Sequence, residues 1–218
     1  MSLCKLRRPL VLALMLAGLS SSVLAVDGII LIDQNRALAG GVTPGDFPGF
    51  PISITQPGSY RLSSNITVAA QDLSAIEISA SDVTLDLNGF HIVGPAAVCV
   101  NPIPAACVQA SGVAAVPFAT AYKSIKVRGG TITGFGAQLS LFSTTLGVVE
   151  DLVLIRQPGG NISFANAVGA RFVVKNMISA DSFDLTCPTI VVESIATFFL
   201  RQVVNTGCVF SNSVGTVI

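Results

Sequence analysis

The sequence has no tryptophan, a single histidine (His91), and charge on only 11% of its 218 residues. One histidine cannot make the paired imidazoles of a zinc site, and no Cys/His cluster sits at metal-ligand spacing. Twelve Lys and Arg balance twelve Asp and Glu. No basic surplus therefore exists to hold nucleic acid, which needs a clustered cationic face. A disordered chain is excluded as well, because it would be far more charged and less apolar than this one, at 51% hydrophobic. Phosphate-cradling loops and nucleophile elbows are missing too. No cofactor and no metal is expected.

What is present starts at the N-terminus. Lys5, Arg7 and Arg8 precede an apolar run from Leu10 to Leu19, then Ser20–Ser22 and Val23-Leu24-Ala25. A positive head, a short apolar middle and a small-residue tail predict a secretory signal peptide over residues 1–25. The run is shorter than the roughly 20 residues of a spanning helix, so no membrane span is expected after cleavage. Export places the remainder, 26–218, in the periplasm or outside the cell as one domain. Removal of three cations leaves that domain with a slight excess of acid. An oxidising compartment lets Cys99, Cys107, Cys187 and Cys208 pair. Four cysteines admit three connectivities. The sequential pairs are one solution, and buried free thiols are the alternative for Cys187 and Cys208.

Outside the signal peptide no helical stripe persists, whereas short alternating runs of β-branched residues broken by Gly and Asn recur. A hexad repeats as Ala80–Leu85, Tyr122–Val127, Val149–Leu154, Val174–Ser179 and Leu200–Asn205. Its starting points are spaced by 42, 27, 25 and 26 residues. A period in the twenties built from strands is the mark of a solenoid. No leucine-rich frame and no helical repeat fits, which leaves a parallel β-helix of about six coils, roughly 30 Å long at the usual strand spacing. Val83, Leu85 and Leu87 are expected inward, with Thr84 and Asp86 outward. Ile125, Val127 and Ile132 repeat the inward set. Gly89, Gly129, Gly134 and Gly207 fall where the chain must turn.

Solenoid ends need covers. Residues 26–52 are expected to form an N-terminal cap and crossing segment. In it, Asp33 caps a short helix over Gln34–Ala39 and Gly40-Gly41 stops it. The excess in the first spacing is read as an inserted loop, 95–120, carrying Cys99 and Cys107. The last segment, Ser213–Ile218, is apolar and lacks a capping helix, which suggests end-to-end self-association through the C-terminal coil.

The block ILIDQNRALAGGVTPGDFPGFPISITQPGSYRLSSNITV, followed by AIEISASDVTLDLNGFHIVG, resembles secreted bacterial right-handed parallel β-helix repeat proteins within the wider pectin lyase-like fold. The likeness covers residues 29–94 and the cysteine-bearing loop; beyond residue 120 only the rhythm is shared. It implies fold and export. The wider fold includes enzymes that cleave or epimerise acidic polysaccharides, but their signatures (Asn-Thr-Asp, Gly-His-Gly, Arg-x-Lys, Asp-Pro-His-Asp) do not occur here. No catalytic residue is assigned.

A modest outward patch remains. Asp82, Asp86, Lys126 and Arg128 should face solvent on adjacent coils, with His91 nearby, as candidate ligand contacts. Aligning the hexads sets Asp86 beside Arg128, and aligning Gly89 with Gly129 sets it beside Lys126. Either way the carboxylate gains a cation, and a solvated pair of that kind contributes only about 0–1 kcal/mol. His91 would need a positioned partner to act as acid or base, with Asp86 or Glu77 as candidates. Glu150 and Asp151 point to opposite faces of one strand and make a poor couple. The expected function is a non-catalytic envelope or extracellular protein contacting polysaccharide or another protein. A small lyase or epimerase for acidic glycans and a self-assembling structural element are the alternatives.

Overall fold

A computed structural model of the chain describes residues 28–95, 110–142, 144–155, 161–164, 171–179, 182–186, 190–204, 209–211 and 214–217. It is mostly β, and among the described residues every strand pairing is parallel. The predicted signal peptide and Cys99, Cys107, Cys187, Cys208 and Gly207 lie outside the described residues. Among the described residues no helix is long and apolar enough to cross a membrane.

The strands form three parallel rows. The first runs through β1 (Ile30–Ile32), β3 (Gly58–Leu62), β6 (Val83–Asp86), β9 (Ile125–Thr133), β11 (Leu146–Ile155), β13 (Arg171–Ser179), β15 (Ile190–Val204) and β16 (Val209–Ser211). The second takes β2 (Ile52–Ile54), β5 (Ile76–Ile78), β8 (Ser111–Ala115), β10 (Ala137–Leu141), β12 (Asn161–Phe164) and β14 (Ser182–Thr186), which pairs with the far half of β15. The third begins with β4 (Ile66–Thr67) and β7 (His91–Val93) and continues through the far half of β9. The far half of β11 extends that third row, while β17 (Val214–Val217) pairs with the far half of β15.

Alternation along the strands builds the interior. Val83, Leu85 and Leu87 are fully buried, while Thr84 and Asp86 stay partly exposed. One inner column stacks Tyr60, Leu85, Val127, Val149 and Val174 in register, each at most 1% exposed. A fully buried aliphatic side chain of this kind contributes about 1.5–3 kcal/mol before entropy is counted. Ile125 and Ile132 are buried as expected, and so is Leu152.

A bend joins the first and third rows. Gly89 (φ +80°), Gly129 (φ +73°), Asp151 (φ +56°) and Asn176 (φ +46°) make this corner in the left-handed region, and Asn88 (φ +52°) joins Gly89 there. The Gly89 N–H donates to the Gly129 carbonyl, and the Asn176 amide donates to Asp151 Oδ1 at 2.6 Å. Asn and Asp are the side-chain-bearing residues that enter this region most readily, which explains why the glycines give way to them.

The N-terminal edges of all three rows are covered, each by a different means. Strand β1 is itself the edge of the first row, and the Arg36 side chain meets it there, its Nη1 donating to the Leu31 carbonyl at 3.2 Å. Asp33 accepts the Arg36 N–H at 2.8 Å and starts α1 (Gln34–Ala39), and Gly40 ends it at φ +74°. From α1 the Gln34 side chain reaches Thr67 on β4, donating to its carbonyl at 3.1 Å and accepting its N–H at 2.7 Å. The side-chain amide stands in for a neighbouring strand. On β2, the buried Thr43 hydroxyl donates to the Ser53 carbonyl and accepts the Thr55 N–H, and Asp46 Oδ1 accepts the Ser53 N–H. Unpaired strand edges invite pairing with other chains, and here side chains occupy them.

Two expectations need correction. The hexads at 122 and 149 do not stack: Ile125 lies opposite Gly147, 22 residues on, rather than opposite Leu152. Likewise Val174 lies opposite Val192, 18 residues on. The 42- and 25-residue spacings hold, as Val83 meets Ile125 and Val149 meets Val174. The second correction concerns the inserted loop, which ends before residue 120 because Ser111–Ala115 is the buried strand β8. Its Ser-Gly-Val-Ala-Ala composition carries little strand signal. It fits because Ile132 leaves no room for a side chain at Gly112: a Cβ there would come within 2.3 Å of the Ile132 methyl.

Candidate functional site

The outward positions of the first row carry the candidate residues. One column reads Arg61, Asp86, Arg128, Glu150, Lys175 by register, so the sign of charge alternates from strand to strand. Asp86 is held on both sides: Arg128 Nη2 lies 2.9 Å and Arg61 Nη2 3.3 Å from its Oδ2. Its other oxygen accepts the Asn88 N–H at 2.8 Å. The carboxylate side chain is only 14% exposed. Each arginine meets it through one terminal nitrogen, leaving the buried Nε of both without a partner among the described residues. Lys126, in the neighbouring outward column, pairs with Glu150.

Asp86 therefore faces Arg128, the outcome of aligning the hexads, and Lys126 goes to Glu150 instead. Sequence reasoning missed Arg61 and Glu150. Arg61 was legible: Tyr60-Arg61-Leu62 has the same in-out-in order as Leu85-Asp86-Leu87, one 25-residue period earlier. Glu150 was hidden by the wrong spacing between β9 and β11.

Beside this column lies a shallow groove of about 280 Å³, lined by Asp82, Thr84, Ser124, Ile125, Lys126, Leu146 and Val148. Asp82 and Ser124 precede β6 and β9, and both have φ +58°. The left-handed turn at each sets the start of its strand. The Asp82 carboxylate and the Thr84 and Ser124 hydroxyls make no hydrogen bond or ion pair among the described residues. Leu146, 47% exposed, supplies an apolar wall with Val148. Two of the five candidate contacts, Asp82 and Lys126, thus share the groove. Asp86 and Arg128 stand in the adjacent column.

His91 sits elsewhere. It is exposed on β7 in the third row, opposite Thr131, and its N–H donates to Asn65 Oδ1 at 3.0 Å. Its ring has no partner among the described residues; Asp86 is committed to two arginines, and Glu77 belongs to β5 in the second row. Among the described residues no group of three His, Cys, Asp or Glu is placed to hold a metal ion.

Chemically, the arrangement offers hydrogen bonding and an apolar wall. General acid–base work needs a group free to exchange its proton with a substrate. Asp86 and Glu150 are each tied to cations, and Asp82 is the one carboxylate in the groove. No family model, no curated protein and no solved structure matches the chain. The resemblance drawn from the sequence rests on residues 29–94 and the cysteine-bearing loop alone.

Proposed function

We propose that the chain winds as a right-handed parallel β-helix and serves as an exported, non-catalytic protein that contacts carbohydrate through the outer face of its first row. Three parallel rows with apolar columns in register support the winding. A single observation carries the binding reading: the groove collects one carboxylate and two hydroxyls without partners among the described residues, beside exposed Leu146 and half-buried Val148. Carbohydrate sites combine such polar groups with apolar surface for the C–H face of a sugar ring. The neighbouring charges serve the rod itself, since Asp86 joins Arg61 to Arg128 and Glu150 holds Lys126.

The test is affinity electrophoresis of the secreted protein through gels containing neutral or uronic polysaccharides, with ultraviolet absorbance followed in parallel. Retardation by a glycan without new absorbance is expected. Unsaturated-uronate absorbance that Asp86→Ala abolishes would establish a lyase instead. Failure of every glycan to retard the protein would turn attention to a protein partner or to self-association.

A further inference from the structure

We infer that the groove lined by Asp82, Thr84, Ser124 and Leu146 takes a neutral sugar, not a uronic acid. The inference rests on the carbohydrate reading above and narrows it. The argument is one of charge. A uronate carries a carboxylate that needs an available cation, as charge-assisted pairs do. Lys126 is the cation lining the groove, and its ammonium is already on Glu150. In the adjacent column Arg61 and Arg128 both close on Asp86. With Lys126 paired, the charge left over in the groove lining is the carboxylate of Asp82, which repels an anion; the one positive charge in excess where two arginines share Asp86 stands in the adjacent column, outside that lining.

Asp82 accepts hydrogen bonds and does not donate them when ionised. Its two oxygens suit a pair of neighbouring hydroxyls on one sugar ring. The Thr84 and Ser124 hydroxyls donate or accept as the ligand requires. Leu146 and Val148 give the apolar face a ring C–H surface can cover. Calcium is the rival occupant for a lone carboxylate, but it takes about six to eight oxygen ligands, and the groove offers one carboxylate and two hydroxyls. A volume of about 280 Å³ lies at the small end of ligand sites, fitting one or two sugar rings.

The experiment measures binding of the secreted protein to neutral and uronic oligosaccharides of matched length by isothermal titration, at roughly 50 and 500 mM salt. Binding of a neutral oligosaccharide with little change between the two salts is expected. Asp82→Asn, which keeps a residue tolerant of the left-handed backbone, should weaken it at least tenfold. Leu146→Asp should do the same, with circular dichroism confirming that each variant folds. Preferential uronic binding that falls with salt would overturn the neutral assignment while leaving the carbohydrate reading standing. Neutral binding untouched by Asp82→Asn would overturn the location. Absence of binding to either class would remove the carbohydrate reading and this inference with it.

Discussion

Gly147 on β11 lies opposite Phe172 on β13, and a Cβ added at Gly147 would come within 2.1 Å of the phenyl ring. The ring occupies space that the glycine leaves empty, and both are buried. Gly147→Ala should therefore destabilise the chain by about 1–3 kcal/mol, the usual cost of overpacking. Urea unfolding would measure it. Adding Phe172→Leu should recover part of the loss, which a defect of backbone conformation alone would not allow.

Gln34 imitates a strand for Thr67. Replacing it with Ala leaves a strand-edge N–H and carbonyl to water, at a cost of about 1 kcal/mol. The sharper readout is local. Hydrogen exchange at the Thr67 amide should quicken, whereas the Leu85 amide within β6 should keep its protection.

Asp86→Asn places Arg61 and Arg128 against a neutral amide and leaves their mutual repulsion unbalanced. Both arginine side chains are more than a third exposed, so solvent screening holds the loss to about 1 kcal/mol. Salt separates the two proteins. Added NaCl should stabilise the variant by screening repulsion, and should slightly weaken the native chain by screening attraction. Thermal melts at several ionic strengths would show it.

Asp151 tests the corner. Its φ of +56° is open to Gly and costly for a β-branched residue. Asp151→Gly should lie within about 0.5 kcal/mol of the native stability, as ordinary surface changes do, whereas Asp151→Val should lose about 1–2 kcal/mol. Equal losses in the two variants would assign the effect to the carboxylate and its bond to Asn176.

Alkaline pH should unfold the chain. Burial raises the phenol pKa of both Tyr60 and Tyr122 above 10.0, opposed at Tyr122 by a hydrogen bond with Thr120. Their hydroxyls donate to the carbonyls of Gln56 and Val116. Above pH 10 the unfolded chain releases these protons before the folded one does. The stability they contribute is complete below pH 10 and is lost as pH rises through the folded values. Tyr60→Phe should flatten that decline in a pH series of urea melts, even if it starts from lower stability.

Alternation in Val83–Leu87 and Ile125–Arg128 made the inward and outward faces readable, because a strand turns its side chains by halves and solvent divides them. The cap was readable in the same way: Asp33 before a helical stretch and Gly40 after it have a local cause. Register was not. Several apolar residues within β11 could each meet Ile125, and the choice of Gly147 depends on the room that Phe172 takes from the next strand. That is a three-dimensional fit with no signature along the chain. For the candidate site, Asp82, Asp86, Lys126 and Arg128 were found as outward polar residues. Their partners were not, since Arg61 and Glu150 come close only through the stacking of strands. The edge-covering role of Gln34 belongs to the same class, since it reaches Thr67, 33 residues along the chain, whereas Thr43 and Asp46 cover Ser53 from only 10 and 7 residues away.

The alternating column has a parity. From Arg61 through Asp86, Arg128 and Glu150 to Lys175, every rung answers the sign of the one before. Copying a single strand of this column would set like upon like, Arg beside Arg or Glu beside Glu, which is unfavourable directly across a sheet. Copying two in succession preserves the pattern. A lineage that lengthens or shortens this protein by whole strands meets less resistance in even steps than in odd ones.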